Sequence, residues 1–252
     1  MATPLAASAV TRDTFPLMSK PYICFLLAVL AGVMSGYTFF VAHLFSTVQS
    51  GNIIQMGFWL FGREGDVNGM EWYHAASAVL AFGLGSASMV VVGRVITNVG
   101  ADYSWPVLLM EAVILIIFGF SAINGRFEPW QIGLVISFVA GMQGQAFHKI
   151  NGMLYGNVAV TLVVQLGFAY LTTGFIKQPE INLRKSWDYF LVLIGFATGG
   201  LIGAFGTREW DERVLWLAGA LAIILAIFGI MTEREDEPVD IPPITAGQVT
   251  TP

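Results

Sequence analysis

Stretches free of Asp, Glu, Lys and Arg dominate the chain, and their lengths predict membrane-crossing helices. Pro21 to Gly62 runs 42 residues without a charge, Trp72 to Gly93 22, Pro129 to His148 20, Ile150 to Ile176 27, and Tyr189 to Thr207 and Val214 to Thr232 19 each. A seventh apolar run, Trp105 to Ile123, is broken only by Glu111. A bilayer core of about 30 Å takes roughly 20 helical residues rising about 1.5 Å each. Crossings are therefore predicted at 22–45, 74–93, 105–123, 129–147, 189–206 and 213–231. Lys20-Pro21 suits the entry to the first of them, because proline fits a first helical turn. A signal peptide is the rival reading of that segment. It is the weaker one, because apolar residues continue through Phe39, Phe40, Leu44 and Phe45.

Two stretches are too polar or too long for simple crossings. Ser46 to Phe61 starts polar and glycine-broken around Gly51-Asn52, and the 150–176 run holds Gly156-Asn157. These read as short interrupted helices. They belong to a pattern that recurs along the chain. Ala31-Gly32-Val33-Met34 answers to Ala140-Gly141-Met142-Gln143, Gly51-Asn52 to Gly156-Asn157, Gly83–Ala87 to Gly195–Gly199, and Ile117-Phe118-Gly119 to Ile227-Phe228-Gly229, at offsets of 109, 105, 112 and 110. The expected fold is an all-α integral membrane protein of two repeats of about 110 residues: an N-terminal segment 1–20, repeats 21–124 and 125–232, and a tail 233–252. If the Gly-Asn segments dip in and return, each half has three crossings and the halves are inverted. If they cross, there are eight crossings and the halves are parallel. Lys and Arg fall eight on one side and four on the other in both arrangements, so the positive-inside rule puts both termini in the cytoplasm but does not choose between them.

Composition agrees with a membrane location. The 252 residues are 56% hydrophobic and 12% charged, with a mean hydropathy of +0.70; soluble domains carry about 25% charged residues. The single Cys24 excludes an internal disulfide. Of the net charge of −5, the segment Glu233–Pro252 contributes −4 (five acids against Arg234), and it reads as a solvated, disordered tail. Basic stripes are missing, which argues against nucleic acid as a partner. No cofactor is implied, and three scattered histidines, His43, His74 and His148, lack metal-ligand spacing.

An Ala-Gly start to the first span, a Ser/Thr-Gly-Asn segment after it, Leu108-Leu109-Met110-Glu111, and Gly141-Met142-Gln143 leading to a second Gly-Asn segment together resemble the YoaK family of small multi-pass bacterial membrane proteins, a domain of unknown function. The resemblance covers 22–231 and implies the fold, not an activity. Members usually carry an acid after Ala-Gly-x-x and Gly-Met/Leu-Gln-Asn at mid-chain. Here those two places are Ser35 and Gly144, positions 109 apart.

Gly51 and Gly156 allow close approach or positive φ, and Asn52 and Asn157 can cap helices whose amides attract an anion. Opposed half-helices of this kind form transporter sites; caps at the membrane interface are the alternative. Gln49, Gln55, Gln143, Gln145, Asn151 and Gln165 flank these segments as an amide-rich lining that would suit a small neutral or anionic solute, or glue helices together. Glu111, an intramembrane carboxylate, is a candidate proton or cation carrier, or a group reaching water. Gly195, Gly199 and Gly203 line one helical face, with Gly83 and Ala87 as a weaker stripe, for close packing within the chain or across a homodimer. The sequence offers no nucleophile–base pair, so an enzyme is not expected. The leading expectation is a small-solute transporter or channel of the cytoplasmic membrane; the alternative is a non-catalytic accessory or assembly subunit.

Overall fold

The computed structural model describes residues 16–61, 69–98, 104–158, 160–177 and 179–231. Most of the N-terminal segment and the acidic tail lie outside the described residues. Nine α-helices carry the fold among those described: α1 Pro21–Ala42, α2 Gln49–Phe61, α3 Trp72–Asn98, α4 Ser104–Phe118, α5 Ser121–Asn124, α6 Pro129–Ala146, α7 Val160–Ile176, α8 Pro179–Trp210 and α9 Val214–Ile230. A two-residue hairpin, β1 Lys149–Ile150 and β2 Met153–Leu154, follows α6. Three helical stretches, Pro21–Ala42, Trp72–Val95 and the run Pro179–Ile230, are long and apolar enough to cross a membrane. Their outward residues, such as Leu80, Leu84, Leu201 and Ile224, are exposed and apolar. These features mark an all-α membrane protein.

Helix starts follow local chemistry. Pro21 and Pro129 open α1 and α6 behind extended Lys20 and Glu128, and Glu128 forms a capping box with Gln131. Helix ends depart from expectation in three places. The first span stops at Ala42, where His43 takes a left-handed conformation at φ 52° and the chain turns back. The span expected at 105–123 ends at Phe118 and is followed by the separate turn α5, with Gly119 between them against the Trp216 ring. The span expected at 189–206 is part of the 32-residue α8, which begins ten residues earlier and takes in Glu180, Arg184, Lys185 and Asp188. At about 1.5 Å per residue α8 is roughly 48 Å long, well beyond a bilayer core. Its early turns lie against α7: Ser186 donates to the Gly167 carbonyl at 2.8 Å and Asn182 to that of Lys177 at 2.7 Å.

Contacts fix the helix directions. Gly195, Gly199 and Gly203 of α8 lie in turn against the backbone of Phe25, Val29 and Val33, so α1 and α8 run parallel. Nor does α3 oppose α6: His74 stacks near Trp130 at 4.7 Å, and further along Ser86 donates to the Gly141 carbonyl at 3.0 Å. α1 and α6 are antiparallel, since Gln143 reaches the Leu27 carbonyl while Gly133 lies by Leu44. Trp105 against Gly229 and Ala112 against Gly219 make α4 and α9 antiparallel as well. The chief core, with Leu30, Met34, Leu108, Leu115, Ile136 and Leu225, lies among α1, α4, α6 and α9.

Glycines set the closest approaches. A Cβ on Gly199 would stand 2.0 Å from the Val29 carbonyl oxygen, one on Gly85 1.9 Å from that of Phe138, and one on Gly141 2.1 Å from that of Phe82. Gly83, expected to be in the α3 stripe, faces open space; Gly85 does the packing instead.

Candidate functional site

Three places gather buried polar groups. The first is the turn after α1. Its chain folds back so that the Ser46 amide donates to Thr38 Oγ1 and the Thr47 amide to Ser35 Oγ, both at 3.2 Å, and the Ser35 and Thr47 hydroxyls bond one another. Ser35 lies seven residues, about 10 Å of helix rise, before the end of α1, so polar backbone re-enters the bundle there with its groups satisfied. Asn52 is fully buried and closes the turn: Oδ1 accepts the Phe45 amide at 2.9 Å, and Nδ2 donates to the Phe45 carbonyl at 2.6 Å and to Gln49 Oε1 at 2.8 Å. It lies inside α2, not ahead of it, so it clamps the preceding turn and does not cap a following helix. Gly51 is required by the Phe45 ring, 2.7 Å from where its Cβ would stand. Gln55, half-buried, donates to the His43 carbonyl at 2.8 Å and leaves Oε1 buried without a partner.

The second place is the turn after α6. Asn157, also fully buried, donates to the Phe147 carbonyl at 2.9 Å, and its Oδ1 has no partner. Gln143, buried in α6, donates to the Leu27 carbonyl at 3.0 Å and leaves Oε1 unpartnered. Gln145 is half-buried and its carbonyl contacts His148 Nδ1 at 2.8 Å. Sequence reading missed the hairpin here, although its signal was present: Asn151-Gly152, with φ of 46° and 75°, is the dipeptide a two-residue hairpin turn favours. Asn151 donates to Asp188 at 2.8 Å and its amide to the Ser19 carbonyl, tying the turn to α8 and to the start of α1. Gly144, where the family pattern has an amide, is filled by Val158, whose Cγ2 lies 2.6 Å from a would-be Cβ. Gly51 and Gly156 are not among the left-handed residues, which include His43, Asn151, Gly152 and Asp211.

Because α1 and α6 are antiparallel, these two turns lie at opposite ends of the bundle. Asn52 with Gln55 and Asn157 with Gln143 and Gln145 are therefore not brought to one point, and the amides spend most of their bonds on neighbouring backbone. Gly195, Gly199 and Gly203 pack α8 on α1 within the chain.

The third place is Glu111, the middle residue of the 15-residue α4. It is 0% exposed, and neither carboxylate oxygen has a hydrogen-bond partner. α4 packs on α9 and α6, and Ser137 of α6 is likewise buried with its hydroxyl unpartnered. Leaving a buried carboxylate without a partner costs several kcal/mol, which makes Glu111 a candidate functional residue. His74 is engaged with the Glu71 amide at 3.0 Å, and the described residues hold no cluster of three or more His, Cys, Asp or Glu that could bind a metal.

Long apolar helices, polar turns folded back at both ends and one mid-helix acid define a multi-helix all-α membrane protein. Residues 23–228 match the family described as "Protein of unknown function (DUF1275)", and the chain belongs to that family, the same one its sequence resembles under the name YoaK. No curated protein and no solved structure matches the chain.

Proposed function

We propose that the protein is a small-solute transporter or channel of the cytoplasmic membrane, built from two inverted repeats with both termini in the cytoplasm. Packing supports the repeats. Gly32 against Phe196 answers to Gly141 against Phe82, and Gly199 against Val29 to Gly85 against Phe138; α1 and α6 positions are offset by 109 residues, α3 and α8 positions by 114. The antiparallel α1 and α6 favour three crossings per half, with α2 and α7 each starting and ending on one side. The observation that carries the transport reading is Glu111, an unpartnered carboxylate at mid-helix. Reconstituted protein is tested for uptake of a panel of small solutes under imposed proton and sodium gradients. Wild type moves at least one solute, and Glu111→Gln loses the gradient dependence.

The accessory-subunit reading has its own support, because Asn52 and Asn157 close turns at opposite ends and do not converge on a solute. If no solute moves under any gradient while the protein co-purifies with a fixed partner, that reading replaces transport.

A further inference from the structure

A partly open cavity of 190 Å³ lies at the end of the bundle where α1 and α8 finish and α6 begins. An enclosed cavity of about 150 Å³ holds benzene, so this one takes a molecule of roughly seven non-hydrogen atoms. Its polar lining comes from Tyr37, Asn124, Thr207, Asp211 and Glu212, and Phe40 adds a second aromatic wall; no Lys, Arg or His lines it. Apart from the Tyr37 phenol, which accepts from Asn124, the side-chain donors in this lining are used. Asn124 spends its amide hydrogens on Tyr37 Oη and the Phe118 carbonyl, both at 2.8 Å, and Thr207 donates to the Gly203 carbonyl at 2.6 Å. Acceptors remain. The Asp211 carboxylate makes no hydrogen bond or ion pair among the described residues, and the Glu212 carboxylate is engaged only by the Ser121 hydroxyl, the backbone carbonyls of both accepting the Val214 amide. Of the arginines close in sequence to the lining, Arg208 is held by Glu209 at 2.8 Å and lies over the Phe205 ring, and neither Arg126 nor Arg213 lines the cavity.

A neutral acceptor or an anion would meet two carboxylates and almost no free donor. A compact organic cation that carries apolar substituents meets both the charge of the acids and the aromatic faces. We propose that this cavity binds a small organic ammonium ion, its head between Asp211 and Glu212 and its alkyl groups against Phe40 and Tyr37. The proposal does not rest on the transport reading, because binding is measured without flux.

The test uses the full chain in nanodiscs, with choline chloride titrated by calorimetry and 3,3-dimethylbutan-1-ol as the neutral isostere, at matched ionic strength. Choline is expected to bind saturably and the isostere about tenfold more weakly or not at all. Asp211→Asn should weaken choline about tenfold; asparagine tolerates the left-handed φ of 52° there, so the fold is kept. Phe40→Leu, at an exposed position, should weaken it about threefold. Equal binding of the isostere, unchanged affinity in Asp211→Asn, absence of choline binding, or displacement of choline by millimolar Mg²⁺ would each overturn the proposal.

Discussion

Two adjacent glycines of α8 should respond in opposite ways to the same substitution. A Cβ at position 199 would lie 2.0 Å from the Val29 carbonyl oxygen, 2.8 Å from its carbon and 2.9 Å from its Cα. Ordinary contact begins at 3.4 Å, so α1 and α8 must part by more than about 1 Å or the helix must bend. The obstructing atoms are helical backbone and cannot swing away as a side-chain tip could. Separation also loosens Gly195 on Phe25, Gly203 on Val33, and Gly32 and Gly36 on α8, all built to the same spacing. Overpacking of a close-packed interior costs about 1–3 kcal/mol and occasionally more; an unyielding carbonyl puts Gly199→Ala near 3 kcal/mol.

Gly200, one residue on, has nothing within 4 Å of a would-be Cβ. Gly200→Ala therefore meets no obstacle and gains helix propensity of roughly 0.5–1 kcal/mol. Unfolding of both variants in matched micelles, followed by circular dichroism against added SDS, reads the difference directly. The expected gap between them approaches 4 kcal/mol by these figures. Equal stabilities would mean that α1 and α8 do not meet at Val29 and Gly199, and the parallel pairing would fail with them.

Asn52→Ala removes three bonds, orphans the part-buried Phe45 amide and leaves its carbonyl only the 3.4 Å bond from Gln49, whereas Asn157→Ala removes one; at about 1–3 kcal/mol for an unsatisfied group, the first should destabilise more in the same unfolding assay, contrary to the equal effects a symmetric pair of sites would give. Glu111→Leu, which places the residue of repeat-related Leu221 at 111, should leave stability unchanged or raise it by about 1–4 kcal/mol, while abolishing gradient-driven uptake; a marked loss of stability would mean that the carboxylate has a structural partner. Cys24 is 0% exposed and should resist a membrane-permeant maleimide until the protein is unfolded in SDS. That leaves a silent background for cysteines placed at Ser121 and Asn151, which should label from opposite faces of the membrane.

The run lengths located every long helix, because a charge-free stretch measures the hydrocarbon slab. They could not locate helix ends. Charges at Glu180, Arg184, Lys185 and Asp188 closed the sequence window, yet α8 continues through them as one helix, with Lys185 over the Tyr170 ring at 5.3 Å and Asp188 meeting Asn151. At the other extreme, the uncharged stretch through Ser35, Thr38 and His43 carried the first span on paper to residue 45, past its end at Ala42. In the fold the Ser35 and Thr38 hydroxyls accept the Thr47 and Ser46 amides and turn the chain back. Composition cannot distinguish a Thr that rides in a helix from one that anchors a returning strand of backbone.

The choice of glycine in α3 has a simple geometric cause. Residues two apart on an α-helix, at 3.6 per turn, point about 200° from one another, so reading the stripe through Gly83 instead of Gly85 selects the opposite face. The true packing pair, Gly85 and Gly141 between the Phe138 and Phe82 carbonyls, is visible only once α6 is known to lie alongside. The same dependence explains the site. Glu111 was legible because a lone acid in an apolar run is anomalous whatever surrounds it. Asn52 and Asn157 were legible as special residues but not as separate ones, because their separation comes from the antiparallel setting of α1 and α6. On the inverted-repeat reading, symmetry itself carries equivalent turns to opposite ends of the bundle. Any solute path must then run through the interior between them, past α1, α4, α6 and α9, where Glu111 stands without a partner.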